Sequence, residues 1–367
     1  RFILSRTDGA LKSHCHLTKV RFYINVKTAF INNYIYEGRN LMDRIELCLS
    51  QYKNWCDKLG ISTISDINRI IGEGKIDWLI NISEIWHEQN ISEIARKIKN
   101  NSSQKKIILI SGPSSSGKTS FANRLQLHLK VLGINAVSIS LDNYYIDEAD
   151  MPKNEEGKPD FEALESIDYM KFNRNIEELI DGGEALIPIY DFKTKSNTSK
   201  PLKLDKDDVI IVEGIHGLND KITAGVPNKN KYRIYCSALT SLSKDNGTKI
   251  KSRTNRLIRR IIRDYYFRNS SYRYTFELWP AVEAGAQKNI FPYTDSADII
   301  FNSSLLYELA VYKDHLNRIF KDAMQDDLYC EKISELLDLT NSFISIDSQR
   351  VPQTSIVREF VGGSTLF

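Results

Sequence analysis

Residues 107–119 read IILISGPSSSGKT, an unbroken apolar run that passes at once into glycine and serine and then into the stretch KTSFANRLQLHLKVLG. The apolar run predicts a buried strand. Phe121, Leu125, Leu129 and Leu132 then recur with helical spacing, and Gly133 supplies the stop. A loop with so little side chain between a buried strand and a helix presents its backbone. Gly112–Thr119 satisfies GxxxxGK[ST] in the strand–loop–helix setting that the pattern requires. Small residues let successive N–H groups wrap a phosphate, and the helix N-terminus adds its positive end. Gly112, Ser114, Ser115, Ser116, Gly117, Lys118, Thr119 and Ser120 are therefore the expected cradle. Lys118 is placed to reach the β- and γ-phosphates, and the Thr119 hydroxyl to join a Mg²⁺ shell.

From Ile107 onward further short runs, AVSIS, VIIVEG, YRIYCS and ADIIFN, alternate with helical stretches. Continuous apolar strands bracketed by helices predict an α/β fold: a doubly wound parallel sheet with helices on both faces. IPIYDFKTKSNTSKPLKL, between the second and third strands, predicts a hairpin with a polar, basic tip. Ahead of this region VRFYINV predicts a strand, ISEIARKIKN a helix, and Gly72–Gly74 a break between helices. The polar stretch KNNSSQKK marks a boundary. The expected division is a smaller mixed and helical N-terminal region over 1–100, a nucleotide-binding domain over 101–326, and a helix and tail over 327–367.

The 50 Lys and Arg against 47 Asp and Glu leave a net charge of +3, too balanced for a protein that coats nucleic acid or an anionic membrane. Five widely spaced cysteines with no CxxC indicate neither a disulfide framework nor a zinc knuckle and point to a reducing cytoplasm. No apolar run has the length of a membrane span, and the opening residues lack a signal-peptide core. The start at Arg1 reads as the trace of an upstream segment. HCH at His14–His16 is read as exposed polar residues, and a homo-oligomer is left open.

The second strand runs into LDNYYID, placing Asp142 at the carboxyl end of a parallel strand, where ligands sit in open α/β sheets. There a carboxylate can take the proton of an attacking hydroxyl; the alternative is a cap for the following turn. VIIVEG places Glu213 where a carboxylate can hold Mg²⁺ water beside Thr119. Arg256, Arg259, Arg260 and Arg263 follow i, i+3, i+4, i+7 spacing on one helical face. Four stacked cations make sense if a lid brings them to phosphate oxygens. The alternatives are a solvated face paired with Asp264, or nucleic-acid binding. NKNK at Asn228–Lys231 lacks the aspartate of a guanine-reading motif, which disfavours a GTPase. His87 reads as structural.

With GPSSSGKT, SLDNYY, IPIYDF, VIIVEGI, RLIRRIIRD and ADIIFN in this order, residues 105 to about 320 resemble the uridine kinase and phosphoribulokinase family of P-loop kinases. The resemblance implies transfer of the γ-phosphate of Mg·ATP to a nucleoside 5′-hydroxyl. It assigns Asp142 as base and metal neighbour, Thr119 and Glu213 as metal residues, Tyr190 to the acceptor flap, and Arg260, Arg263 and Arg268 to the lid. At the acceptor side the chain departs from the family: Glu162 stands where an aspartate meets the ribose hydroxyls, and Lys195 where a histidine reads the base. Lys195 could instead pair with the phosphate of a sugar-phosphate acceptor, and an ATP-sensing, RNA-associated module is a further alternative. The stretch from Trp55 to Ile98 and the ending VPQTSIVREFVGGSTLF resemble the bacterial subgroup fused behind a threonyl-tRNA-synthetase-like region, which implies that residues 1–40 are a remnant of it.

Overall fold

Strand β1 (Ile107–Ser111) is buried along its whole length because it has a parallel neighbour on each side, β5 (Val209–Glu213) and β6 (Lys231–Ser237). Outside these lie β2 (Ala136–Ser140) and β7 (Ile299–Asn302), giving the order β2-β5-β1-β6-β7 with every pair parallel. The computed structural model describes residues 41–101, 106–191, 196–321, 323 and 328–367. Within it Ile45–Phe367 form one unit. The expected strand over 20–26, His14–His16 and the synthetase-like remnant lie outside the described residues.

The helix after β1, α4 (Lys118–Val131), buries Phe121, Leu125 and Leu129, and Phe121 stacks on Phe301 of β7 with ring centroids 4.1 Å apart. The helices around the sheet include α6 (Ser252–Phe267), α7 (Tyr272–Asn289), α8 (Glu308–Ile319) and α9 (Cys330–Asn341). The predicted hairpin is β3 (Glu184–Asp191) paired antiparallel with β4 (Ser196–Lys203), separate from the main sheet and flanked by α5 (Tyr169–Ile180). Its tip, with Lys195, lies outside the described residues.

Before the sheet come α1 (Leu41–Leu59), α2 (Ile64–Gly72) and α3 (Ile76–Asn100), so the Gly72–Gly74 break falls where the sequence places it. Thr63 and Asp66 form a capping box on α2. Helix α3 is tied to α4 by charge: Arg124 donates to Glu88 at 2.6 Å and faces Glu84 at 3.4 Å, and His128 also bonds Glu88. His87 is buried, and its Nε2–H donates to the Ser304 carbonyl at 2.9 Å. Burial, then Arg124, pushes its imidazole down to about 3, so it is neutral and structural. Among the described residues no helix is long and apolar enough to cross a membrane, and Cys48, Cys56, Cys236 and Cys330 are not joined in disulfides.

Candidate active site

The glycine–serine loop leaves β1 against β6 so closely that a Cβ on Gly112 would run into the Cys236 carbonyl. Only glycine fits there. Ser115 takes a positive φ of 61°, and Gly117 takes 83° as the cap of α4. These turns aim the start of α4 into an open cleft of about 1360 Å³ lined by Ser114, Ser115, Gly117, Lys118 and Thr119. Lys118 folds back to donate to the Pro113 carbonyl at 3.3 Å, while Thr119 is exposed. The hydroxyls of Ser115 and Ser116 are buried with no hydrogen-bond partner among the described residues. Such a cradle fits an anion with several oxygens, as a triphosphate offers.

Parallel pairing sets the two carboxylates opposite this loop. Glu213 at the end of β5 is in register with Ile110 of β1 and Ser140 of β2, and Asp142 follows two residues after Ser140. The turn after β2 is capped by Ser140, whose hydroxyl accepts from the Asp142 N–H at 3.3 Å. The cap is therefore supplied by serine, and the Asp142 side chain lines the cleft with Glu213. Burial and then the Asp142 charge push the Glu213 carboxyl up to about 7, against the opposing pull of Lys118. Asp142 and Glu213, with the Thr119 hydroxyl in the same cleft, are the residues that could hold a divalent cation, whose charge would favour their ionised forms.

The arginine face divides in a way that spacing does not reveal. Arg259 is fully buried: its Nε and Nη2 donate to Glu308 at 2.8 and 2.6 Å, and its Nη2 to the Ser303 carbonyl at 2.8 Å. Arg256 is held by Glu283 at 2.5 Å and lies over the Trp279 ring. For these two the expectation of a phosphate-facing lid is corrected: neither lines the cleft, and they meet the loop from behind, through the Ser114 and Ser115 carbonyls at 3.4 and 3.5 Å. Arg260, Arg263 and Arg268 instead converge on Asp264, at 3.2, 2.9 and 3.8 Å, and all three line the cleft. Arg260 also donates to the Ser114 hydroxyl at 2.9 Å, tying the helix to the loop. Burial, then Arg263, lowers the Arg268 guanidinium to about 10, as expected where like charges crowd.

The same cleft is lined by Glu162 and Tyr190. Glu162 Oε2 is buried without a hydrogen-bond partner among the described residues. Burial pushes this carboxyl up to about 7, although Arg260 and Lys118 pull it down. The Tyr190 N–H donates to Asn143 Oδ1 at 3.0 Å, so the hairpin is fastened to the residue beside Asp142. Sequence reading missed Asn143, which sits within the quoted SLDNYY motif. It also missed Tyr145, whose hydroxyl donates to the Phe161 carbonyl at 3.0 Å, and Glu359, both lining the cleft. Asp264, named from the sequence as a partner for the arginine face, is that partner and lines the cleft as well; Glu359 lies 239 residues from its loop partner and carries no local signal.

The model of the phosphoribulokinase / uridine kinase family matches residues 107–307, more than half of the chain. A uridine kinase from Ureaplasma urealyticum serovar 10 is 28% identical over 173 residues, 47% of this chain and 75% of that protein. A uridine kinase from Ligilactobacillus salivarius is 34% identical over 116 residues, 31% of this chain and 53% of that protein. Among solved structures, the D-glycerate 3-kinase of Cryptococcus neoformans var. grubii covers 72% of this chain and 89% of its own, at a TM-score of 0.31 and 14% identity.

Proposed function

From the premise that this chain belongs to the phosphoribulokinase / uridine kinase family and is an ATP-dependent kinase, we propose that it transfers the γ-phosphate of Mg·ATP to the 5′-hydroxyl of a nucleoside. One observation carries the reading. The loop with Lys118 and Thr119, the carboxylates Asp142 and Glu213, the arginines on Asp264, and Glu162 with Tyr190 all line a single cleft.

In this reading the loop backbone and Lys118 hold the polyphosphate while Arg260, Arg263 and Arg268 close on it. Arginine suits that work because its fork matches phosphate oxygens and stays charged. Thr119, Asp142 and Glu213 hold Mg²⁺, which supplies neutralisation of the phosphate charge. Asp142 accepts the proton of the attacking hydroxyl, and Glu162 and Tyr190 hold the acceptor. With its carboxyl near 7, Glu162 can receive or give a hydrogen bond, as ribose hydroxyls require. By the same proposal, residues 1–40 are the remnant of a synthetase-like region and the stretch from Trp55 to Ile98 is the joint to the kinase, a reading supported by the likeness of that stretch.

The test is ADP release by the full chain with Mg·ATP across a panel of nucleosides and sugar phosphates. Stimulation by a nucleoside is expected. Stimulation by a sugar phosphate alone, or by no acceptor while ATP still binds, refutes the nucleoside assignment.

A further inference from the structure

Residues beyond the family-matched region close one side of the phosphate loop. After Val351 the chain returns to α4, where the Glu359 carboxylate accepts from the Ser120 N–H at 3.2 Å and the Ser120 hydroxyl at 2.8 Å. The segment is firmly seated. Ile356, Val357 and Phe360 are fully buried, Arg358 donates to the carbonyls of Val351 at 2.5 Å and Gly362 at 3.2 Å, and Asn123 of α4 donates to the Leu366 carbonyl at 3.1 Å. Gly117 leaves no room on this side either, since a Cβ there would lie 2.8 Å from Ile356 Cγ2. Glu359, carried on the short turn α10 (Arg358–Val361), lines the cleft together with Lys118 and Thr119.

Ser120 is the third residue of α4, so its N–H belongs to the first turn, whose donors have no helical carbonyl to meet. Those donors are what a helix N-terminus offers a phosphate. A carboxylate oxygen on them is a chemical stand-in for a phosphate oxygen, and the two cannot share the same N–H and hydroxyl. A negative side chain at the edge of the cradle also repels an incoming polyphosphate.

We propose that Glu359 is an intramolecular competitor at the phosphate site, a built-in anion that a nucleotide's phosphates must displace from Ser120. Its backbone is pinned, so displacement is a swing of the side chain. The resident anion weakens binding of every phosphate-bearing ligand and thereby speeds release of product. The proposal rests on the assignment of Gly112–Thr119 as the phosphate cradle.

The experiment is calorimetric titration of the full chain with Mg·ATP, ADP, inorganic tripolyphosphate and adenosine, for the wild type, Glu359→Gln, Glu359→Ala and Lys118→Ala. Glu359→Gln keeps the shape and an acceptor for Ser120, so the fold is retained, and a thermal melt without ligand verifies this. Losing the charge-assisted bond should tighten ATP, ADP and tripolyphosphate about tenfold in both Glu359 variants, with adenosine unchanged. Equal or weaker polyphosphate binding in both, while Lys118→Ala still loses it, overturns the competitor role alone. Weaker binding in Glu359→Ala with recovery in Glu359→Gln also overturns it and makes the residue a support for the helix. Failure of the wild type and all variants to bind tripolyphosphate overturns the cradle assignment, and the competitor role with it.

Discussion

Replacing Arg259 by Met tests whether the arginine helix is divided as described. The guanidinium is enclosed, donating twice to Glu308, at 2.8 and 2.6 Å, and to the Ser303 carbonyl and hydroxyl at 2.8 and 3.1 Å. Glu308 is only 2% exposed, and without Arg259 it keeps the Asn255 amide at 2.8 Å, the Leu305 N–H at 3.2 Å and the Tyr312 hydroxyl at 3.3 Å. Three neutral donors remain and the counter-charge is gone. Breaking a buried pair on one side costs ~3–5 kcal/mol, and the remaining donors place this case near the lower end. At ~2–4 °C per kcal/mol for a large domain, the melting temperature of the nucleotide-free chain should fall by roughly 6–12 °C. The double variant Arg259→Met with Glu308→Gln should recover more than half of the loss, because both charges leave together. Turnover of Arg259→Met well below its melting point should stay within a few-fold of wild type. Arg263→Met, in the cleft, should do the reverse: a small change in melting and a large loss of turnover. Circular-dichroism melts and a coupled ADP assay on the same samples decide it. If Arg259→Met melts within about 2 °C of wild type yet loses turnover, the buried-pair reasoning is refuted.

Asp142→Asn should cut turnover at least roughly a hundredfold with ATP affinity largely intact, on general-base magnitudes; single-turnover rates beside nucleotide titration check this, and an unchanged rate removes Asp142 from the base role. Stability should also respond to pH. The carboxyls of Glu162 and Glu213 are pushed from an ordinary 4.5 up to about 7, so between these values the folded chain holds protons that the unfolded chain has lost. Their stabilising contribution is full below pH ~4.5 and is lost as pH rises through ~7. Buried His87 and His216, held down at about 3 and about 4, tilt the curve the other way below ~6.5, so the readout is the difference from a Glu162→Gln, Glu213→Gln double variant. The ligand-free melting temperature of the wild type relative to that variant should fall across the window, and a difference that does not change with pH would refute the assigned environments.

What the sequence announced was local in origin. The glycine–serine cradle, the apolar strands and the hairpin each declare themselves within a single short stretch of chain, through periodicity or through a backbone that tolerates only small side chains. Asp142 and Glu213 were legible because both close apolar runs, and parallel pairing brings such ends to one edge. The arginines show where this stops: Arg259 and Arg263 share a helical face by spacing, and what separates them is Glu308, 49 residues from Arg259. Glu162 came through family likeness rather than any pattern of its own. Glu359 was missed because partners 239 residues apart leave no mark on either segment.

The bond from the Tyr190 N–H to Asn143 makes one amide oxygen common property of the hairpin and of the turn that carries Asp142. Neither can drift without tugging the other. Under the proposed roles, admission of an acceptor beside Tyr190 and the aim of the Asp142 carboxylate would be mechanically geared, and a hairpin pulled away from Asn143 would also spoil the alignment through which stray water could squander the triphosphate.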